Sequence, residues 1–321
     1  MRIFVTGGTG FIGRRVVDRL RGRGDEVVAL VRSAARAEVL SASGCELVEG
    51  DLGSADAIAR GASGAEAVIH LAAGYRVGIP ARECAELHEI NVRGTERVLD
   101  AAIDAGVPRI VYVSTANVFG NTHGRPVDES HERDPAAGFL SCYDETKFLA
   151  HTAAKARIAE GAPVIIVQPG AVYGSDDPSQ IGNVIDQTRS GKMKLLMFPE
   201  FELNYVHVDD LADGIVAALD RGRIGEAYAL GGEIATMRQL VTTVAELSGG
   251  TPPKRALPAA LMKAGIPFGP VVGKLLGFPP NLRELIRTSD GVSIVFTDEK
   301  ARRELGHRSR PLREGLADTL A

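Results

Sequence analysis

No run of about 18 consecutive apolar residues occurs in this 321-residue chain, so a membrane-spanning helix is not expected. Neither sign of charge dominates. The 37 basic and 41 acidic residues leave a net charge of −4, and no block of like charges forms a tail. That balance argues against a nucleic-acid partner. Cysteine is scarce: Cys45, Cys84 and Cys142 stand far apart, with no pairing pattern and no metal-ligand spacing. No metal is therefore expected, and a reduced, cytoplasmic setting is. The first strand pattern starts at residue 2, which leaves no room for a leader peptide and supports the same expectation. Internal repeats and low-complexity segments are missing too. What remains is 45% hydrophobic and 24% charged, an ordinary composition for one large domain or two intimate ones.

The most specific stretch is Thr6-Gly7-Gly8-Thr9-Gly10-Phe11-Ile12-Gly13. It follows a short apolar strand and opens a helical pattern. Gly7 permits a tight turn, Gly10 lets a pyrophosphate approach the backbone, and Gly13 lets the helix pack close to the sheet. The helix start then offers free N–H groups and a positive dipole end to phosphates.

Strand patterns at Ile3–Thr6, Glu26–Val31, Cys45–Glu49, Ala67–Leu71, Ile110–Ser114 and Val164–Gln168 alternate with helical ones, notably Phe11–Arg23, Arg82–Ala105 and Tyr143–Glu160. This order predicts an α/β fold: a doubly wound, Rossmann-type parallel sheet covered on both faces, with ligands at the strand C-termini. After Gln168 the rhythm breaks. A helix is expected near Ile181–Ser190, strands at Leu203–Val208 and 226–231, and a helix at Asp210–Asp220. Residues 1–169 plus 203–231 are expected to form the nucleotide-binding domain. Residues 170–202 plus 232–321 are expected to form a smaller, mostly helical substrate lobe.

Tyr143 and Lys147 stand four residues apart in Tyr143-Asp144-Glu145-Thr146-Lys147, on one face of a helix. A nearby ammonium favours a phenolate, so Lys147 is expected to lower the Tyr143 pKa and let the phenol exchange a proton with a substrate oxygen near neutral pH. Lys147 could also hold ribose hydroxyls.

With these pieces in order, the chain resembles the extended short-chain dehydrogenase/reductases (the NAD-dependent epimerase/dehydratase family) over nearly its whole length. The matching residues are Thr6–Gly13, Asp51-Leu52, His70-Leu71-Ala72-Ala73, Asn91, Ser114–Gly120, Tyr143–Lys147, Gln168–Gly174 and Tyr205–Asp210. The resemblance implies cofactor contacts from Gly7, Thr9, Gly10, Phe11, Ile12 and Gly13. It implies that Asp51 and Leu52 bracket the adenine, that Leu71, Ala72 and Ala73 pass close to the cofactor, and that Pro169 and Gly170 run beside the nicotinamide. Asn91 would support the lysine through water. A catalytic hydroxyl is implied after the fifth strand; alignment selects Thr115, with Ser114 in reserve. His70 reads as a strand-end residue, and Asp209 as a structural helix cap.

Strand two ends in Val31 with Arg32 next, where an NAD site carries an acid. Arginine suits a 2′-phosphate, so NADP is expected over NAD, with Arg36 as a second cation. Sugar-nucleotide dehydratases of the family carry Thr-Asp-Glu where this chain has Thr115, Ala116 and Asn117, which argues against dehydration. The segment between Gly174 and Asn204 is short for a sugar-nucleotide site, and Leu195–Pro199 within it is apolar. Together these resemble the dihydroflavonol-reductase-like branch and imply reduction of a ketone or aldehyde. A sugar or sugar-nucleotide epimerase and a non-catalytic NADP-binding regulator are the rivals. Pro258 to Pro280 carries only Lys263 and Lys274 as charges. It suggests either a packed lid or a greasy pocket wall, to which Met197, Phe198, Tyr75 and Phe139 could add. The family resemblance also implies a homodimer through helices 82–105 and 143–160.

Overall fold

The computed structural model describes residues 1–76, 78–253, 255–264, 266 and 281–321. Seven parallel strands form the main sheet in the order β3-β2-β1-β4-β5-β6-β9. They are β1 (Arg2–Thr6), β2 (Glu26–Val31), β3 (Glu46–Glu49), β4 (Ala67–His70), β5 (Ile110–Val113), β6 (Val164–Pro169) and β9 (Ala227–Leu230). Most of these strands are apolar, and β-branched residues make up half or more of β2, β4, β5 and β6, the pattern of strands buried on both faces. Alternate residues serve opposite layers. Ile3 and Val5 pack with Val16, Val17 and Leu20 of α1 (Phe11–Gly22) and with Leu211 and Ile215 of the helix Val208–Arg221. Phe4 packs the other way, with Ile58 of α2 (Ala55–Ala62), Val98 and Leu99 of α3 (Gly94–Asp104), and Ala150 and Ala154 of α4 (Cys142–Ala159). Chain order reverses between β1 and β4, which opens the crevice where such sheets bind ligands.

A second sheet is built around β8 (Glu202–His207), which pairs in parallel with β7 (Ala171–Tyr173) and β11 (Ser293–Ile294) and antiparallel with β10 (Glu233–Thr236). The segment 203–231, expected as one recruit of the nucleotide-binding half, is thus divided: β8 serves the second sheet and β9 the first. Tyr173, Ile185, Leu240, Val244 and Leu316 form the core beneath the second sheet. The C-terminal segment is fastened to the helix Val208–Arg221 by the Arg310 guanidinium, which donates to the Asp210 carboxylate at 2.7 and 3.0 Å.

The helix Val208–Arg221 is capped by His207, whose Nδ1 accepts the Asp209 N–H at 3.3 Å. The expected cap, Asp209, instead takes a hydrogen bond from Arg19 of α1 at 3.2 Å. The helix expected over 82–105 is interrupted. A helical turn at Cys84–His88 runs into a π-turn at Glu89–Arg93 before α3 begins. Among the described residues no helix is long and apolar enough to cross a membrane, and no group of three metal-ligating side chains occurs. The part of the apolar segment at 265 and 267–280, with Phe268, Lys274, Leu275, Leu276 and Phe278, lies outside the described residues.

Candidate active site

Gly7 has φ +79°, and a Cβ there would stand 2.7 Å from the Ala72 nitrogen. Its carbonyl accepts the Gly10 N–H at 3.0 Å, and a Cβ on Gly13 would collide with the same carbonyl. Gly7 and Gly13 are therefore required by the turn itself, while a Cβ on Gly10 would be tight, 3.2 Å from the Gly7 carbonyl oxygen. Gly10 gives α1 no side-chain cap, and the first turn carries no acid. With Phe11 and Ile12 in that turn, its amides are open to an anion, and a pyrophosphate fits such a cradle.

The ends of β1 and β4 are held together below this turn. Thr6 Oγ1 lies 2.6 Å from His70 Nδ1 and takes the Ala72 N–H at 3.4 Å, while His70 Nε2 meets Thr95 Oγ1 at 3.0 Å. Burial, aided by the Lys147 charge, pushes the His70 imidazole down to about 3, so it is a neutral strut, as its strand-end position suggests. Asp51 Oδ1 accepts from the Ser54 hydroxyl and the Gly53 N–H, which hold its carboxyl below the usual range. The Leu52 side chain lies against Gly94. Leu71 donates its N–H to the Thr6 carbonyl at 3.1 Å, Ala72 follows it, and Ala73 is exposed. Pro169 ends β6, and Gly170, where a Cβ would strike the Asn204 carbonyl, donates to Leu230. Arg32 and Arg36 are exposed and form no side-chain ion pair or hydrogen bond among the described residues.

Tyr143 and Lys147 both lie in the first turns of α4, which is capped by the Ser141 hydroxyl. Lys147 is buried, donates to the Val113 carbonyl at 3.2 Å, and sits 5.2 Å from the centre of the Tyr112 ring. Burial pushes its ammonium down to about 8. The Tyr143 phenol moves opposite to expectation. Burial raises it above its ordinary value and Tyr75 adds to the rise, while the nearby Thr115 hydroxyl opposes it. Desolvation sets the direction and the ammonium four residues away does not reverse it, so in the cofactor-free protein the phenol keeps its proton at neutral pH.

The two candidate hydroxyls diverge, as neighbours on an extended chain do. Ser114 Oγ turns to His151 Nδ1 at 3.1 Å. Thr115 is the one beside the phenol; its Oγ1 also accepts the Asn117 N–H at 3.3 Å. Asn91, in the π-turn, spends both amide hydrogens on the Gly74 carbonyl and Thr146 Oγ1, at 3.0 Å each, and its oxygen takes the Gly74 N–H at 2.7 Å. This clamp places Tyr75, half exposed, edge-on to Tyr143 with ring centres 4.9 Å apart. π-turns recur at such functional positions.

Sequence reasoning missed three features. Arg133 donates to Asp144 at 2.7 Å, with side-chain exposures of 7% and 1%, and to the Gly138 carbonyl, fixing the chain just before α4. His151 is the partner of Ser114. Cys84 and Cys142, read as unpaired, are joined as a disulfide with Cα atoms 5.9 Å apart; only Cys45 is free. Of the suggested pocket residues, Met197 and Phe198 pack with Met262, Leu282 and Ile286, and Phe139 lies tilted against Phe148 with Arg133 over its ring. A cavity of about 620 Å³ bounded by Phe198, Phe201, Leu257 and Val292 includes neither Thr115 nor Tyr143 in its wall.

The depressed Lys147 value has a consequence for stability. Between about pH 8 and the ordinary 10.5, the unfolded chain holds a proton that the folded protein has lost. Stability from this residue is therefore gained as pH rises through that window and is absent below it. Urea unfolding of cofactor-free protein at pH 8 and pH 10 should show that increment in wild type and its loss in Lys147→Met. Equal pH responses of the two proteins would refute it.

Comparison with known proteins agrees with this geometry. The family model for the NAD dependent epimerase/dehydratase family matches residues 3–231. The 4-hydroxy-2-methyl-3-oxo-4-farnesyl-3,4-dihydroquinoline-1-oxide ketoreductase of Stigmatella aurantiaca is 32% identical, covering 100% of this chain and 96% of its own. A dihydroflavonol 4-reductase-like protein of Synechocystis sp. is 30% identical over 99% of this chain and 93% of its own. Among solved structures, a double mutant of the dTDP-glucose 4,6-dehydratase DesIV from Streptomyces venezuelae, with NAD bound, superposes with a TM-score of 0.80. It has 27% identity and covers 100% of this chain and 96% of that one.

Proposed function

We propose that this chain, which belongs to the NAD dependent epimerase/dehydratase family, is an NADP(H)-dependent reductase of ketones or aldehydes. The observation that carries this reading is the placement of Tyr143 and buried Lys147 in the first turns of one helix, with Lys147 held to the Val113 carbonyl at the end of β5, where Thr115 follows. A carbonyl being reduced needs a proton on its oxygen, and a phenol that still holds its proton can give one. Dehydration needs an acid and a base after the threonine, and Ala116 and Asn117 supply neither. The ketoreductase relative, whose named substrate carries a farnesyl chain, supports a carbonyl on a largely apolar body.

The glycine turn and the open amides of α1 would hold the dinucleotide phosphates, Asp51 the adenine, and Lys147 the ribose hydroxyls near the nicotinamide. When bound, that cofactor supplies a hydride to the carbonyl carbon. Tyr143 donates its proton to the carbonyl oxygen, and Thr115 hydrogen-bonds the same oxygen and orients it. Exposed Arg32 and Arg36, free of carboxylate partners among the described residues, favour a 2′-phosphate over a bare ribose.

A panel of ketones and aldehydes with NADPH and NADH tests the cofactor assignment. Wild type should prefer NADPH by about 10- to 100-fold in kcat/KM, the worth of a charge-assisted hydrogen bond. Arg32→Asp should erase that preference. Equal use of the two cofactors by wild type would overturn the arginine argument. Tightly bound cofactor on purification, with no net consumption of NADPH, would favour an epimerase.

A further inference from the structure

We propose that Cys84 and Cys142 form a thiol–disulfide exchange site whose oxidised state locks the segment carrying Tyr75 against the catalytic helix. The regulatory part of this inference rests on the reductase reading; the exchange chemistry does not.

Three observations place the pair. The Cα separation of 5.9 Å lies within the range a disulfide spans without backbone movement. Both cysteines are half-buried, so a small reagent can reach them, whereas Cys45 is buried. Cys142 is the first residue of the 18-residue helix α4, at its positive dipole end, where a thiolate is favoured as the attacking group. It is also the immediate neighbour of Tyr143.

The bond joins the two walls of the site. Cys84 opens the helical turn Cys84–His88, whose Leu87 lies beneath Gly74: a Cβ on Gly74 would stand 2.7 Å from Leu87 Cδ1. Gly74 is itself clamped by Asn91 to Thr146 of α4, and Tyr75 follows with its ring edge-on to Tyr143. A carbonyl substrate must reach the Tyr143 hydroxyl beside this ring, so the freedom of the Tyr75 segment bears on its approach. With the disulfide closed, the turn beneath Gly74 cannot move away from α4. With it open, the Asn91 clamp, the ion pair of Arg76 with Glu86 and packing are what remain to restrain Tyr75 among the described residues.

The exchange balances with a low-molecular-weight disulfide as oxidant. The Cys142 thiolate attacks one sulfur of RSSR, forming a mixed disulfide and releasing one RS⁻. The Cys84 thiolate then attacks the Cys142 sulfur, closing the intrachain bond and releasing the second RS⁻. The protein loses two electrons and two protons in all, and the reagent leaves as two thiols.

The test uses full-length protein equilibrated with oxidised or reduced glutathione. Thiol titration after unfolding should find one thiol in the oxidised form and three in the reduced form. Amide hydrogen exchange at 74–76 and 84–88 should be slower in the oxidised form, and kcat/KM for a bulky ketone should be lower by about tenfold. Cys84→Ser combined with Cys142→Ser removes both sulfurs and should exchange and turn over alike in both buffers, whereas Cys84→Ser alone should keep glutathione on Cys142 as an unresolved mixed disulfide. Cys84→Val combined with Cys142→Ala, which keeps apolar groups at both positions, repeats the comparison should the double serine variant fold poorly. Three thiols persisting in oxidised glutathione, or identical exchange in both states, would overturn the proposal. Exchange that follows the redox state in a protein that reduces no carbonyl in either state would uphold this site and contradict the reductase reading.

Discussion

Tyr143→Phe should lower kcat for carbonyl reduction by about a hundred- to ten-thousand-fold, the range spanned by a positioned general acid. Its effect on folding should be small, because no direct hydrogen bond holds the phenol among the described residues and Thr115 is engaged with Asn117. The phenylalanine ring preserves the edge-on contact with Tyr75. Cofactor affinity should change little, since the glycine turn and Arg32 are untouched. Steady-state kinetics with NADPH and a ketone, beside a fluorescence titration of NADPH, separates these effects. A loss confined to KM would assign Tyr143 to binding. Wild-type turnover in the variant would remove it from the chemistry.

The second large effect concerns stability. Asp144→Ala should cost about 3–5 kcal/mol, because it strands the Arg133 guanidinium in a site nearly closed to water. Asp144 also accepts the Leu140 N–H at 2.8 Å, and Arg133 lies 4.7 Å from the centre of the Phe139 ring. The pair therefore fixes the approach to α4, and its loss displaces the residue next in sequence, Tyr143. Chemical denaturation should show the lower midpoint, and kcat should fall with it. Arg133→Met combined with Asp144→Leu should recover most of the stability, since paired removal leaves no unpaired buried charge. A single variant as stable as wild type would mean the ion pair contributes nothing.

The main sheet was legible because its strands are continuous apolar runs bounded by turn residues, as in Glu26–Val31. The second sheet was hidden because β7, β10 and β11 have three, four and two residues, too few to show a period. The π-turn at Glu89–Arg93 leaves the apolar pattern of 82–105 intact, so a single helix was the natural expectation. In the site, sequence spacing brought Tyr143 within reach of a cation but carried no measure of burial, and burial decided the direction of the phenol's shift. Cys84 and Cys142 are separated by 58 residues, a distance that encodes no proximity. Arg133 is one arginine in a polar stretch until the chain folds back to bury it against Asp144. The glycine turn was readable because Gly7 and Gly13 answer local steric demands that nearby residues impose.

The account rests on Tyr143 arriving at the carbonyl with its proton. Tyrosinate absorbance of cofactor-free wild type, minus that of Tyr143→Phe, across a pH titration measures this directly. The difference should stay at zero through neutral pH and appear only above pH 10, beyond the ordinary phenol value. A tyrosinate belonging to Tyr143 with its midpoint near pH 7 or 8 would contradict the account.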